Sequence, residues 1–430
     1  MGAVKGLLST SNAEANDLVG EYQDTIFVRN SRGYNAGTTL FGLMSKLENE
    51  AADNLEYNWF ERDPIRKTVY SNAGLANAVS FLFGTTAATQ AGDANPYLTT
   101  GTVLRSDLTG EYMVLGAVPN DVSSVVPVAR PAYNGIAATS VVAAQSWTIV
   151  TVGKAEGADP VAAAYENPNT IWNYIQTFNS TVEVTNAFKG SVLRSDIAGP
   201  LQDRRIQALE RISRDIEFAY FFGANSLTVG AAATPSFNNF GTTAVRYTGG
   251  ILSSLYAAGL ANTTSSLPAN AITGNCLTGT AVANGVTNIG NFNLWLQTFM
   301  GYGSDCKLAF CGPKAYAAIS SFANSGSSGY RIMQNETVYG MNISVINTPF
   351  GELSLTQHPL FREAVGQQGT IFAVDLPLMV QKVYEKLFLE DNIQSNGNDS
   401  YKEQFRAKLG LKLKFPNAFG VAQNITSITI

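Results

Sequence analysis

The stretch PLQDRRIQALERISRDIEFAYFFG, from Pro200 to Gly223, is the clearest long helix in the chain, and any fold the sequence adopts must give it a surface to lie on. Ile206, Leu209, Ile212, Ile216 and Ala219 fall along one stripe at helical spacing. Glu210 with Arg214, and Arg211 with Asp215, stand at i,i+4 spacing and suit ion pairs on the outer face, and Gly223 ends the run. Such a helix is stable only when its apolar side is covered. The segment ahead of it, Asn173 to Val184, is strand-like.

Downstream, Phe292, Trp295, Leu296, Phe299 and Met300 repeat at helical spacing before Gly301 and Gly303, and Lys307 to Cys311 follows as a strand. Pro313 suits the first position of a third helix, with Tyr316, Ile319 and Phe322 inward and Asn324 and Gly326 at its end. Helix, strand, turn and helix in this order predict a compact α/β lobe. The last quarter returns to strands at Met341–Asn347, Glu352–Thr356, Thr370–Val374, Val380–Tyr384 and Lys408–Phe415, ahead of Pro416.

Upstream, an arm rich in Gly, Asn and Ser precedes Thr38 and Thr39, which can cap a short helix with Leu40, Leu43, Met44 and Leu47 on one face. From Leu55 the pattern alternates, with Leu55, Tyr57 and Trp59 on one side and Glu56, Asn58 and Phe60 on the other, as at the start of a long hairpin. Between about Ser80 and Val152 the chain turns Gly-, Thr- and Ala-rich, with strand-like runs at Thr102–Arg105, Glu111–Val118, Val122–Ala129 and Trp147–Val152. This reads as a small β-module inserted in the hairpin.

A chain of 430 residues is long enough for two or three lobes. Charged residues make up 14%, against about 25% in an ordinary soluble protein, so much of the surface is expected to be hidden against partners. With 28 Lys and Arg, 33 Asp and Glu, a net charge of -5 and no basic run, sequence-specific nucleic-acid binding is disfavoured. No signal-peptide core follows Lys5, Leu7 and Leu8, and no apolar run reaches the roughly 18 residues that span a bilayer, so a soluble, intracellular product is expected. Cys276, Cys306 and Cys311 lack CxxC spacing, and the last two stand about 16 Å apart on opposite faces of a strand, so all three read as reduced and structural.

Chemical motifs are sparse. The single histidine, His358, precedes Pro359 and reads as a turn residue near the surface, which removes multi-histidine metal sites and most histidine catalysis. There is no GxSxG, and Gly153-Lys154 is followed by Ala155, so the phosphate-loop signature is missing too. Glu61 and Asp63 are spaced as an acid pair might be, yet among Arg62, Arg66 and Lys67 they read as a mixed-charge solvated loop. Trp172, Tyr174 and Phe178 suit packing on a neighbouring helix better than ligand stacking. The sequons at Asn179, Asn262, Asn335, Asn342, Asn398 and Asn424 are those expected by chance in so Asn-, Ser- and Thr-rich a chain. No catalytic, cofactor-binding or metal-binding residue is assigned.

The segments LFGLMSKLENE and NLEYNWFERD, then TVLRSDLTGEYMVLGAV, NTIWNYIQTFNSTVEVT, the long helix and the terminal KFPNAFGVAQNIT occur in an order and spacing covering most of the chain. That order resembles the major capsid proteins of tailed double-stranded-DNA bacteriophages with the Hong Kong 97 (HK97-like) fold. The resemblance implies an α+β fold. Residues 1–50 are then an N-terminal arm, 51–164 an extended loop carrying the β-module, and 165–248 a peripheral domain whose spine helix is 201–223. Residues 249–368 become an axial domain, and 369–430 return as strands of the peripheral domain.

It implies a structural head protein, not an enzyme, that assembles with itself into hexamers and pentamers of an icosahedral shell around packaged double-stranded DNA. Assembly in the bacterial host cytoplasm, residence in the virion, and a portal protein and a decoration or cement protein as partners also follow from the resemblance. No long charged coiled-coil prefix precedes the matched segments, so a separate scaffolding protein is expected. DNA is enclosed without sequence-specific contacts, no membrane is involved, and no partner is identified for an isopeptide bond from Lys67. Competing readings are an encapsulin-like compartment, a surface-layer or adhesin protein, which the missing signal peptide disfavours, and an enzyme resting on Glu61 and Asp63 alone.

Overall fold

A computed structural model of the protein describes residues 48–62, 67–71, 80–84, 98–117, 125–130, 145–160, 168–190, 200–229, 244–255, 276–277, 286–324, 331–332, 336–338 and 341–429. The helix expected after Thr38 and Thr39 and nearly all of the N-terminal arm lie outside them.

Strand β1 is Asn49–Ala51, and β2, Glu56–Glu61, carries the alternation that begins at Leu55. A barrel follows: β3 (Thr68–Ser71), β4 (Ser80–Gly84), β5 (Thr102–Ser106), β6 (Tyr112–Leu115), β7 (Val125–Ala129) and β8 (Ser146–Val152) close in the order β3-β4-β7-β6-β5-β8. Its interior holds Leu98, Leu104, Met113, Leu115, Val126 and Trp147, a cluster separate from the other two cores among the described residues. The chain then returns through β9 (Asn169–Tyr174), antiparallel to β2 from Glu56↔Tyr174 to Glu61↔Asn169. The inserted module expected from the Gly- and Thr-rich sequence is therefore a closed barrel at the end of a two-stranded ribbon.

Strand β10 is Gln176–Thr185, separated from β9 by Ile175, so the single strand expected from Asn173 to Val184 is two. Short helix α1 (Asn186–Lys189) and the long α2 (Pro200–Phe222) come next, then β11 (Ser226–Val229), β12 (Ala244–Tyr247) and α3 (Ile251–Leu255). On α2 the buried apolar residues are Ala208, Ile212, Ile216, Tyr220 and Phe221, whereas Ile206 is 53% and Leu209 40% exposed. The expected stripe is wrong at its N-terminal end. Residues three apart on an α-helix step back by about 60°, so Ile206, Leu209 and Ile212 curve around the helix instead of lining one side. The ion pair expected between Arg214 and Glu210 also has a rival, since Arg214 Nη1 lies 3.1 Å from Glu363 Oε2.

The α/β lobe contains β13 (Cys276–Leu277), β14 (Val286–Asn288), α4 (Ile289–Met300), β15 (Cys306–Cys311) and α5 (Pro313–Asn324). It continues through β16 (Arg331–Ile332), β17 (Glu336–Val338), β18 (Met341–Thr348), β19 (Gly351–Gln357), α6 (Pro359–Glu363) and β20 (Ile371–Val374). Its sheet runs β13-β23-β20-β15-β19-β18-β16, with β23 at Gly420–Ala422. Phe292, Trp295, Leu296 and Phe299 of α4 and Ala315, Ile319 and Phe322 of α5 pack in one core, so both helices lie where their spacing puts them.

Two long strands, β21 (Met379–Glu390) and β22 (Ser400–Leu413), close the chain together with β23 and β24 (Ser427–Thr429). They form a four-stranded sheet in the order β1-β21-β22-β10. Both strands exceed the lengths read from sequence; β22 begins at Ser400 and ends at Leu413, and Phe415 takes a left-handed φ of 52°. Phe178, Ala407, Leu409, Leu411 and Leu413 from this sheet meet Ile212, Ile216 and Phe221 of α2 in a core shared with β15 and β20.

Candidate assembly surfaces

The four-stranded sheet has two unlike faces because β22 alternates. Odd-numbered Glu403, Ala407, Leu409, Leu411 and Leu413 are buried toward α2, and even-numbered Lys402, Arg406, Lys408 and Lys412 lie on the other side, half-buried. That outer face is a ladder of ion pairs: Lys402 with Glu183 at 3.3 Å, Arg406 with Glu385 at 3.4 Å and Glu390 at 3.3 Å, and Lys408 with Glu385 at 3.0 Å. Hydrogen bonds from Lys408, aided by the charge of Arg406, hold the Glu385 carboxyl below its usual range. Lys408 and Arg406 also lie over the rings of Tyr384 and Phe388, at 5.4 and 5.0 Å from the centroids.

At the other end of this face Glu50, on β1, lies 2.6 Å from Lys382, 3.1 Å from Lys412 and 3.7 Å from Lys414. Burial acts to raise its pKa, but hydrogen bonds from Lys382 and Lys412 and their charges outweigh it and bring the carboxyl down to about 2. One acid thus ties β1 to β21 and β22.

The β2–β9 ribbon is fastened to the same sheet at its base. Tyr57 donates its hydroxyl hydrogen to Leu411 O at 2.7 Å, and Asn173 Nδ2 donates to both Leu411 O (2.8 Å) and Gly249 O (3.0 Å). A side chain at Gly410 would meet the Tyr57 hydroxyl at 2.8 Å, so that position must stay bare. Farther out, Phe60 is 68% exposed. On the barrel Leu108 and Val150 are 73% and 48% exposed. Lys67 is exposed where the ribbon enters the barrel, and Arg66 and Asp63 lie outside the described residues. Glu61 accepts hydrogen bonds from Trp59 Nε1 (2.7 Å) and Phe415 N (2.8 Å), so it braces the ribbon against the turn after β22.

His358 is not a surface turn residue. It is 1% exposed, its Nε2 lies 2.7 Å from Glu217 Oε1, and the rings of Phe221, Phe310 and Phe361 enclose it at 5.2, 5.6 and 4.6 Å. Glu217 on α2 gives the residue that precedes α6 a hydrogen-bond partner inside the core, one that no local sequence signal announces. Lys307 and Asp375 form a second buried pair at 3.1 Å, in which Lys307 Nζ also donates to Tyr302 O and Ser304 N donates to Asp375 Oδ2. Burial lowers the Lys307 pKa, and Asp375 opposes that shift. Gly303, at φ +75°, is required beside this pair because a Cβ there would sit 2.2 Å from Asp375 Oδ2. Arg205 with Glu403 and Arg130 with Glu111 are bidentate, each contact between 2.6 and 2.8 Å. Sequence reading missed all of these, although a lone charge in an apolar run, as in CKLAFC, marks such a position.

Trp172 and Tyr174 pack edge to face at 5.1 Å, and Phe178 is 4% exposed in the core beneath α2, so Phe178 packs on the helix as expected whereas Trp172 is only half-buried. All three cysteines are free; Cys306 is exposed and Cys311 buried, and burial pushes the Cys276 thiol up to about 12. Among the described residues no group of His, Cys, Asp and Glu could hold a metal ion, and no helix is long and apolar enough to cross a membrane.

Among the described residues these charges brace strands and helices. The family model of the SU10 major capsid protein matches residues 34–426, and the chain belongs to that family. It is a structural protein of a capsid shell, with the virion capsid as its place, and its architecture is mixed and strand-rich. A chain from Microbacterium phage Oxtober96 is 11% identical, with 96% of this chain and 98% of that chain covered and a TM-score of 0.41. One from Mycobacterium phage Adephagia is 11% identical, with 99% of each covered and a TM-score of 0.39. A chain of the holo-SrpI encapsulin complex from Synechococcus elongatus PCC 7942 is 11% identical, with 61% of this chain and 78% of that chain covered and a TM-score of 0.38. No curated protein matches.

Proposed function

We propose that the protein assembles into hexamers and pentamers of a closed icosahedral shell that encloses double-stranded DNA, and that it catalyses no reaction. The observation that carries this reading is the family match across residues 34–426. A net charge of -5 suits it, because a container for DNA needs little affinity for phosphate. The partners that go with this role are a portal protein, a separate scaffolding protein and a decoration protein, with assembly in the host cytoplasm. The test is electron microscopy of the chain expressed alone and with the neighbouring phage proteins. Closed shells are expected, and concentration-independent monomers under both conditions would overturn the reading. Protein cargo in place of DNA would point to the encapsulin-like alternative.

The domain map belongs to the same proposal: an arm over 1–50, an extended loop over 51–164, a peripheral domain over 165–248 completed by 369–430, and an axial domain over 249–368. What supports the loop assignment is the ribbon and its barrel, which carry a core of their own. Exposed Lys67 is the probe. Trypsin should cut there in free subunits and be excluded in shells, and equal rates in both forms would remove this loop from the intersubunit contacts.

A further inference from the structure

Asparagine followed by glycine is the dipeptide in which a side-chain amide reacts most readily with its own backbone, because glycine has no Cβ to shield the nitrogen beside it. The chain has three such pairs, and two of them, Asn134-Gly135 and Asn284-Gly285, lie outside the described residues. The third, Asn396-Gly397, sits at the tip of the β21–β22 hairpin, where every residue from Ser395 to Asp399 is exposed. The tip turns on a hydrogen bond from Asn398 N to Ser395 O at 3.2 Å, which makes Asn396 and Gly397 the two central residues. Gly397 takes the positive φ of +84° that such a turn needs at its third position.

Both reacting groups are unencumbered. Among the described residues no hydrogen bond holds the Asn396 side-chain amide or the Gly397 N–H, and a Cβ at Gly397 would meet nothing within 4 Å. The other two asparagines of the loop differ. Asn392 Oδ1 accepts from Gln394 Nε2 at 2.7 Å, and the nitrogen that follows it, Ile393 N, donates to Lys402 O at 2.9 Å beside a stiff β-branched side chain. Asn398 is followed by Asp399, whose side chain crowds the nitrogen between them and is fastened to Asn186 Nδ2 at 2.6 Å.

We propose that Asn396 is a site of spontaneous deamidation. The Gly397 N–H loses its proton to solvent base, and the nitrogen attacks Cγ of Asn396 and closes a succinimide ring. The Cγ–Nδ2 bond breaks as Nδ2 takes up a proton and leaves as ammonia, so one ammonia is lost and nothing is oxidised or reduced. Water then opens the ring at either carbonyl and leaves an aspartyl or an isoaspartyl residue at position 396. Each event turns a neutral amide into a carboxylate, makes the net charge one unit more negative than -5, and places the new charge in a loop that already holds Asp391 and Asp399. The isoaspartyl product also adds a carbon to the main chain inside the turn, which the bond between Asn398 N and Ser395 O does not fit. The hairpin tip thus becomes more acidic, and its turn looser, as the protein ages.

Incubation of the wild-type chain at about pH 6.5 and about pH 8.5, followed by peptic digestion in acid and mass mapping of residues 391–400, tests it. The peptide should gain about 1 Da at position 396, in two products that chromatography separates. The gain should be roughly a hundredfold faster at the higher pH, because the amide anion becomes about tenfold more abundant with each unit. Asn396→Gln, whose longer side chain must close a less favoured ring, should slow the gain at least about tenfold while leaving the melting temperature unchanged. A folded chain that shows no gain at 396 while a synthetic 391–400 peptide deamidates fully would overturn the proposal, since the fold would then protect the site. A gain confined to Asn392 or Asn398, or one that does not change with pH, would overturn it as well.

Discussion

Between Thr68 and Val152 the chain carries six charged side chains in 85 residues, and between Met379 and Leu413 it carries eleven in 35. Both stretches fold as antiparallel β-structure. The first closes into a barrel, so every strand has two neighbours, no edge is left open, and a Thr- and Val-rich outer wall is tolerated. The second is an open sheet with one face on α2 and the other left to water, and that face is filled with cross-strand ion pairs. Charge density therefore follows topology here: it is high where a sheet is open and half-solvated and low where closure has removed the edges. The barrel also carries its core alone, whereas the hairpin shares its core with α2 and the lobe.

If this contrast is right, substitutions should separate the two regions. Ile212→Asp, at a fully buried position in the shared core, should cost several kcal/mol of a total of about 5 to 15 and abolish soluble protein. Trp147→Ala, inside the barrel, should cost about 3 to 5 kcal/mol locally. Calorimetry should show the barrel's transition lost and the main one unmoved; a joint fall of both would end the claim that the barrel stands alone.

Glu50→Gln should cost about 1 to 2 kcal/mol at neutral pH, discounted for partial exposure. Its carboxyl is held at about 2 in the folded chain, below the 4.5 of a free glutamate. The contribution is therefore present above pH 4.5 and is lost as pH falls toward 2, so wild type and variant should converge in acid; a constant difference down to that pH would show that the lysines are not its source. Glu390→Gln, on the half-exposed ladder, should cost less than about 1 kcal/mol, and high salt should shrink that loss further. Leu209→Asp should be the mildest change, within about 0.5 kcal/mol, because Leu209 is 40% exposed; loss of soluble protein from it would restore the straight stripe expected from sequence.

Elements whose own residues repeat at one period were legible. Pro200–Phe222, Ile289–Met300 and Pro313–Asn324 all lie within a few residues of their expected bounds, because cap, stripe and stop are local signals. Positions of single side chains were not. Leu209 and Ile212 are alike in sequence, and which of them faces the sheet depends on where β10 and β22 cross beneath α2. His358 is likewise ambiguous beside Pro359; only Glu217, distant in sequence, makes a buried imidazole tolerable.

By itself, then, the sequence determined the long helix, the α/β lobe, the presence of a strand-rich insert and the capsid family, since each is carried by composition, by short-range periodicity or by the order of segments along the chain. Closure of the barrel, the pairing of Glu50 with three lysines and the burial of Lys307 with Asp375 were decided by tertiary structure alone. Each depends on residues brought together from distant parts of the chain, and the free energy of a charge or a strand edge is set by what lies across from it, which no local window of sequence contains.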